Sequence, residues 1–295
     1  MFIIIKYINQ MGMFMFKVIF LVLVLACGIF ATPVQQEKEN LYKSLDTTDK
    51  ETEATLKQMV NSLYNIHAYK TNYFLPLDYK YTGTYKDTNG HQAESTETQF
   101  QFSLKYDIGA NLFGLNEIYT VAYTQKSFWQ LYVDSAYFRE TNYNPEFFVT
   151  FPMALKDDEY GLKAMKIAIA HQSNGRGSTD ERSWNYVSSS FIFQYHYLFT
   201  ELKLWTSWKS ALEKYNPDLL DYLGYGSLKF ILPYKKHLMS FKVNSKGSMN
   251  ADYSYPITKR QDLFLYIKAF SGYGESLIDY DNYINKIGIG FSISR

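Results

Sequence analysis

Phe191, Phe193, Tyr195, Tyr197 and Phe199 take every second position of Val187–Phe199, with Ile192, Gln194 and His196 between them. Side chains alternate between two faces in an extended strand and not in a helix. This period therefore commits the segment to β-structure with one aromatic face. The pattern recurs in Phe100–Tyr106, apolar at 100, 102, 104 and 106 with polar residues between. It recurs again where Tyr119, Val121 and Tyr123 alternate with Thr120, Ala122 and Thr124. From about Tyr73 onward, further strands are expected at Leu202–Trp208, Gly226–Leu232, Leu238–Asn244, Ala251–Tyr255, Leu263–Ala269 and Lys286–Ser294. Glycine breaks fall at Gly224–Gly226 and Gly272–Gly274.

So many greasy strand faces need a partner surface. Aromatic residues make up 18 % of the chain, with 28 Tyr and 22 Phe, while mean hydropathy stays negative. After Ala31 no apolar run is long enough for a membrane-crossing helix, which needs about 20 residues. Strands with one aromatic face and one polar face suit a transmembrane antiparallel β-barrel with aromatic girdles. At roughly 20 residues per strand and connection, the chain after Ala31 forms about twelve strands. Closure is obligatory, because an open edge in hydrocarbon leaves backbone groups unpaired at several kcal/mol each. The fold class is thus all-β, with residues 69–295 forming the barrel. A soluble all-β protein is the alternative, and the missing terminal aromatic after Ile287–Arg295 is a mark in its favour.

The first residues read as a secretion signal over 1–31. Lys17 precedes the apolar run Val18–Leu25, and the small residues Ala26, Cys27 and Gly28 follow, with cleavage expected after Ala31. Residues ahead of Met11, Met13 and Met15 read as an extension before the true start. Leu25 makes Val24–Cys27 a poor lipoprotein box. Residues 32–68 form a polar N-terminal segment, with a helix expected in Lys50–Leu63. Cys27 is the only cysteine, so no disulfide forms within the chain. The near balance of 30 Lys and Arg against 29 Asp and Glu argues against nucleic acid as a partner, which asks for a clustered basic surplus.

The candidate chemistry lies in His171-Gln-Ser-Asn-Gly-Arg176. Stepping back by twos from Ser173 gives His171, Ile169, Ile167 and Met165, with Gln172, Ala170, Ala168 and Lys166 opposite. A nucleophile-type Ser and a base-type His therefore share the greasy face, their Cα atoms about 6.6 Å apart, close enough for proton transfer. Asn174–Glu181 is loop-like, and a hairpin centred on Ser178 sets Asn185 across from His171. Asn185 is in phase with Val187, Phe191 and Phe193, so it joins the same outer surface. A neutral amide suits that place, because a carboxylate facing lipid is expensive. Gly175 is free to aim its N–H at an oxyanion. Gln125, in phase with Tyr119, Val121 and Tyr123, also points at lipid.

The stretch His171-Gln-Ser-Asn-Gly-Arg-Gly-Ser-Thr-Asp-Glu-Arg-Ser-Trp-Asn185 resembles the active-site signature of the outer membrane phospholipase A family. Tyr123–Gln130, Phe138–Pro145, Tyr253–Lys259 and Ser271–Tyr280 resemble further blocks of that family. The resemblance runs from about Tyr73 to Phe291. It implies a twelve-stranded barrel integral to the outer membrane of a Gram-negative bacterium, acting as a calcium-dependent phospholipase that is active as a homodimer. By that match Ser173 is the nucleophile, His171 the base and Asn185 the residue that orients it. Gly175 supplies part of the oxyanion hole. Calcium is held by the Arg176 carbonyl, the side chain at 181 and the Ser135 carbonyl of the partner. Glu181 departs from the pattern, which has a Ser hydroxyl there; a carboxylate is a good ligand for a hard cation. Gln125 is implied to meet its own copy across the dimer. His67, His196 and His237 carry no expected role.

The expected substrate is a phospholipid cleaved at its acyl esters, with A1, A2 and lysophospholipase activity. The competing class is a passive outer-membrane pore or structural barrel with a vestigial motif; a soluble periplasmic esterase is a third. The inward set Lys166, Arg182, Trp184, Tyr186, Gln194 and His196 is bulky, which predicts a filled interior.

Overall fold

Alternating segments become strands that turn an apolar face outward, although β12 keeps Phe264, Tyr266 and Phe270 on its buried side. The computed structural model describes residues 66–86, 88, 90, 92–153, 160–207 and 215–295. The expected signal peptide, the helix in Lys50–Leu63 and nearly all of the polar N-terminal segment lie outside the described residues. The first strands are β1 (Ile66–Ala68), β2 (Tyr73–Thr82), β3 (Thr96–Ala110), β4 (Ile118–Gln130) and β5 (Tyr137–Pro152). Then come β6 (Gly161–Ser173), β7 (Ser183–Tyr195), β8 (Leu198–Ser207) and β9 (Gly226–Tyr234). β10 (His237–Asn244), β11 (Met249–Pro256), β12 (Phe264–Gly272) and β13 (Ile284–Ser292) complete the set. A short helix, α1 (Leu219–Leu223), is described between β8 and β9.

Consecutive strands from β2 to β13 pair antiparallel, and β13 pairs back onto β2, which closes a twelve-stranded barrel. β1 prolongs the line of β2 along β3, with Ile66 opposite Tyr106 where Tyr73 stands opposite Gln101. Among the described residues, sheet pairing is already present at Ile66–Ala68. The closing seam is tight. A Cβ on Gly290 would stand 2.1 Å from the Phe74 carbonyl oxygen, so β13 approaches β2 there only as glycine.

One expected strand is corrected. Val187–Phe199 is a hairpin, with β7 ending at Tyr195 opposite Leu198, the first residue of β8. His196 takes φ 51° in the two-residue turn. Crossing that turn reverses the alternation, so Phe199 stands opposite the buried Gln194 and does not share the outer face of Tyr195. His196 lies exposed on the turn and not in the lumen.

The two faces separate by chemistry. Ile167, Ile169, Phe193, Leu204, Phe241, Ile287 and Ile289 are exposed on the outer wall. The lumen holds charge. Arg139 bonds Glu97 (Nε to Oε2, 2.9 Å) and Asp279; Lys286 reaches Glu97 at 3.0 Å; Lys268 reaches Glu275 at 2.7 Å. Glu275 and Asp279 belong to the 273–283 connection, which folds into one mouth of the barrel. There Leu277 and Tyr280 pack with Trp184, Tyr186 and Leu219 of α1. The interior is filled.

The two mouths differ. The two-residue turns β7–β8 and β9–β10 lie at the end where β1 begins and β13 stops, with the seven-residue connections 111–117 and 257–263; the longer connections 83–95, 174–182 and 273–283 lie at the other. Outer-membrane barrels keep short turns on the periplasmic side and long loops outside. The plugged mouth is therefore the external one, and Ser173 ends its strand there.

Candidate functional site

Strand parity places the site. On β6, His171 and Ser173 follow Ile167 and Ile169 on the outer face, while Ala168 and Ala170 are buried inward. The 174–182 connection turns the chain back so that β7 pairs His171 with Asn185 and Ser173 with Ser183. Asn185 Oδ1 lies 2.8 Å from His171 Nδ1. Because a carbonyl oxygen only accepts, Nδ1 carries the proton and Nε2 is left as the basic nitrogen. Asn185 is itself anchored, its backbone carbonyl accepting from Ser207 Oγ at 2.6 Å. Among the described residues Ser173 Oγ and the imidazole are not yet hydrogen-bonded to each other. Such contacts tighten when substrate binds.

The turn after Ser173 is built around Asn174, which is buried and which the sequence reading left without a role. Its Oδ1 accepts from the N–H of Arg176 at 3.3 Å and of Arg182 at 3.0 Å, and its Nδ2 donates to the Asp180 carbonyl at 2.8 Å. These bonds fold the connection back on itself and set Gly175 at φ 65°, a left-handed conformation that favours glycine. Tyr143 covers Gly175. A Cβ there would meet the ring at 2.9 Å. The polar amide of Asn174 inside its SNGR context was the available signal; nothing local marked Tyr143.

Across the outer wall, one row of directly opposed residues runs Phe102, Gln125, Tyr143, Ser173, Ser183. Gln125 thus lies in the same row as Ser173, two strands away. Its amide is satisfied along its own strand: Tyr123 Oη donates to Oε1 at 3.1 Å, and Nε2 donates to Ser127 Oγ at 3.2 Å.

Arg176 and Glu181 both lie half-buried in the 174–182 connection, and Ser135 is exposed in the 131–136 turn at the same end. Among the described residues, no group of three His, Cys, Asp or Glu side chains is arranged to hold a metal. The Glu181 carboxylate has no described hydrogen-bond or ion-pair partner. An all-oxygen set of carbonyl and carboxylate suits a hard cation such as calcium. Two ligands from one chain leave such an ion incomplete, so the rest of its shell would be oxygens from water or from a second molecule. His67 beside Asp107, His196 beside Tyr160 and His237 beside Tyr253 lie away from the site.

The model of one protein family, Phospholipase A1, matches residues 48–293. The chain belongs to the phospholipase A1 family. Phospholipase A1 of Escherichia coli (strain K12) is 32 % identical over 261 residues, covering 82 % of this chain and 86 % of that protein. Putative phospholipase A1 of Neisseria meningitidis serogroup B is 33 % identical over 257 residues, covering 79 % and 66 %. Among solved structures, outer membrane phospholipase A from Escherichia coli superposes with a TM-score of 0.70 at 30 % identity, covering 84 % of this chain and 99 % of that one. The calcium-bound dimer of Salmonella typhi outer membrane phospholipase gives 0.71 at 29 %, covering 83 % and 99 %. This phospholipase A1 family member is accordingly an integral outer-membrane β-barrel. The site just described lies on the membrane-facing side of its wall.

Proposed function

We propose that this chain is a calcium-dependent outer-membrane phospholipase, hydrolysing acyl esters of phospholipids and lysophospholipids through Ser173, His171 and Asn185. The observation that carries this reading is the His171–Asn185 hydrogen bond on the outer wall, with Ser173 next along the same face. A hydrolytic set that projects into lipid has lipid as its accessible substrate.

His171 Nε2 takes the proton from Ser173 Oγ as that oxygen bonds the ester carbon. The carbonyl oxygen becomes an oxyanion and accepts the Gly175 N–H. Collapse breaks the bond to the glycerol oxygen, which receives the proton from His171. Water, deprotonated by the same imidazole, then attacks the acyl-Ser173, releasing fatty acid and restoring the hydroxyl. Asn185 holds the ring in one tautomer throughout without adding a charge to the acyl region. The Arg176 carbonyl and Glu181 would be this chain's ligands to a calcium ion, which when bound would supply positive charge to offset the oxyanion.

The solved Salmonella typhi relative is a dimer with bound calcium, which supports a homodimer here; in the proposed reading that dimer is the active form, Ser135 of the partner subunit completes the ion's shell and Gln125 lies in the contact. A passive pore finds no support in a lumen crossed by ion pairs and stoppered by residues 273–283. The test is fatty-acid release from detergent-solubilised protein, with calcium and then with chelator. Release with calcium, its loss on chelation and its loss in Ser173→Ala, with the barrel still heat-modifiable, are expected. Full activity in Ser173→Ala ends the reading.

A further inference from the structure

Behind the candidate site, on the lumen side of the wall, sits a carboxylate that the acyl-transfer steps do not use. A register shift against β4 at Phe128–Trp129, opposite Phe138–Glu140, lets Arg139 and Glu140 both turn inward, and both are fully buried. Arg139 spends its side chain on Glu97 and Asp279. Glu140 has a different set of neighbours. Its Oε1 accepts from Asn142 Nδ2 at 2.6 Å and from the Ile278 N–H at 3.2 Å. Its Oε2 accepts from Arg176 Nε at 3.1 Å and from Asn174 Nδ2 at 3.5 Å. The Arg176 guanidinium also donates to the Arg139 carbonyl.

Asn174 and Arg176 flank Gly175, so both neighbours of the proposed oxyanion donor are tied through the wall to one carboxylate. That carboxylate also grips the backbone of the 273–283 connection that closes the outer mouth. We propose that Glu140 is a positioning residue that, from inside the lumen, fixes the 174–176 backbone so that the Gly175 N–H and the Arg176 carbonyl face the reacting ester and its ion. This rests on the acyl-transfer reading of Ser173. A fully buried carboxylate is costly unless every oxygen is satisfied, and here four donors converge on two oxygens. Glutamine at 140 keeps the shape but turns one acceptor into a donor, so either Arg176 and Asn174 or Asn142 and Ile278 lose their partner. A displacement of about 1 Å at a reacting centre costs on the order of 100-fold in rate.

The experiment compares Glu140→Gln, Arg176→Gln and the double variant in the full-length detergent-solubilised protein. In Glu140→Gln we expect kcat to fall at least about tenfold with KM within about twofold, and the calcium concentration for half-activity to rise. The heat-modified transition of the barrel stays in place. The double variant is expected to lose no more than the worse single variant, as side chains acting through one contact do. In calcium-free micelles, backbone amides 174–182 should exchange hydrogen faster in Glu140→Gln than in the parent. Parent-like kcat and calcium dependence in Glu140→Gln overturn the proposal, as do losses that simply multiply. If the parent chain releases no fatty acid at all, the acyl-transfer reading fails; unchanged exchange of 174–182 would then overturn the hold of Glu140 on this turn by itself.

Discussion

Asn185 stands directly across the β6–β7 ladder from His171, and its amide oxygen is 2.8 Å from the ring Nδ1. The bond is made on the lipid side, where the imidazole has few other groups to orient it. In the proposed reaction it strengthens as the ring becomes positive during Ser173 attack, since hydrogen bonds to charged groups contribute about 1.5–3 kcal/mol. Asn185→Ala is therefore expected to lower kcat about 10- to 100-fold while KM for a micellar phospholipid stays near its parent value. Steady-state fatty-acid release across substrate concentration checks this. A parent-like kcat would show that the amide orients nothing.

Gly175 sits at φ 65° with the Tyr143 ring where a methyl group would go. Gly175→Ala pays for a left-handed backbone, about 1–2 kcal/mol, and pushes the ring or the turn aside. The turn is the softer of the two, because it stands at the strand end. The expected result is a loss of kcat of tenfold or more with the barrel intact by heat-modified migration. Should the variant fold and turn over normally, the Gly175 N–H does not serve the oxyanion.

Much of this was legible in the sequence because a strand's period of two survives any number of substitutions. Counting by twos from Ser173 placed His171 outside, and counting from Phe193 placed Asn185 beside it. The same rule failed at Val187–Phe199. A two-residue turn at His196–Tyr197 reverses parity without interrupting the aromatic spelling, so Phe199 landed opposite Gln194 instead of beside Tyr195. Nothing local announced the lumen. Arg139 finds Asp279 and Glu140 finds the Ile278 N–H across more than half the barrel's sequence. Their burial runs against the expectation for isolated charges, and only closure brings the partners together.

Glu181 gives the calcium expectation a sharp form. In the resemblance a Ser hydroxyl stands at this place, so Glu181→Ser should keep the reaction but bind the ion less well, because charge in the ligand set tightens hard-cation binding. Titrating calcium against fatty-acid release should show half-activity at a concentration about tenfold higher, with the same plateau. Chelator should abolish release in both forms. An unshifted titration would remove Glu181 from the ion's shell.

Arg139 tests whether the filled lumen stabilises the barrel or only obstructs it. Its guanidinium grips both Glu97 oxygens, at 2.9 and 3.2 Å, bonds Asp279, and lies 3.9 Å from the Tyr85 ring centre. Arg139→Met takes the guanidinium away from two fully buried carboxylates, leaving Glu97 with Lys286 and Asp279 with Ser276 and the Lys86 N–H, a loss of up to about 3–5 kcal/mol for a broken buried pair. The heat-modified transition should fall markedly. Arg139→Lys keeps the charge but gives up the two-oxygen grip, so its transition should lie between. Neutralising the stranded acids as well, in Arg139→Met with Glu97→Gln and Asp279→Asn, should recover much of the loss, because a buried ion pair contributes little beyond an uncharged, well-packed replacement. If the single Arg139→Met variant melts with the parent, the lumen charges are not coupled to closure, and the strand ladder alone holds the barrel.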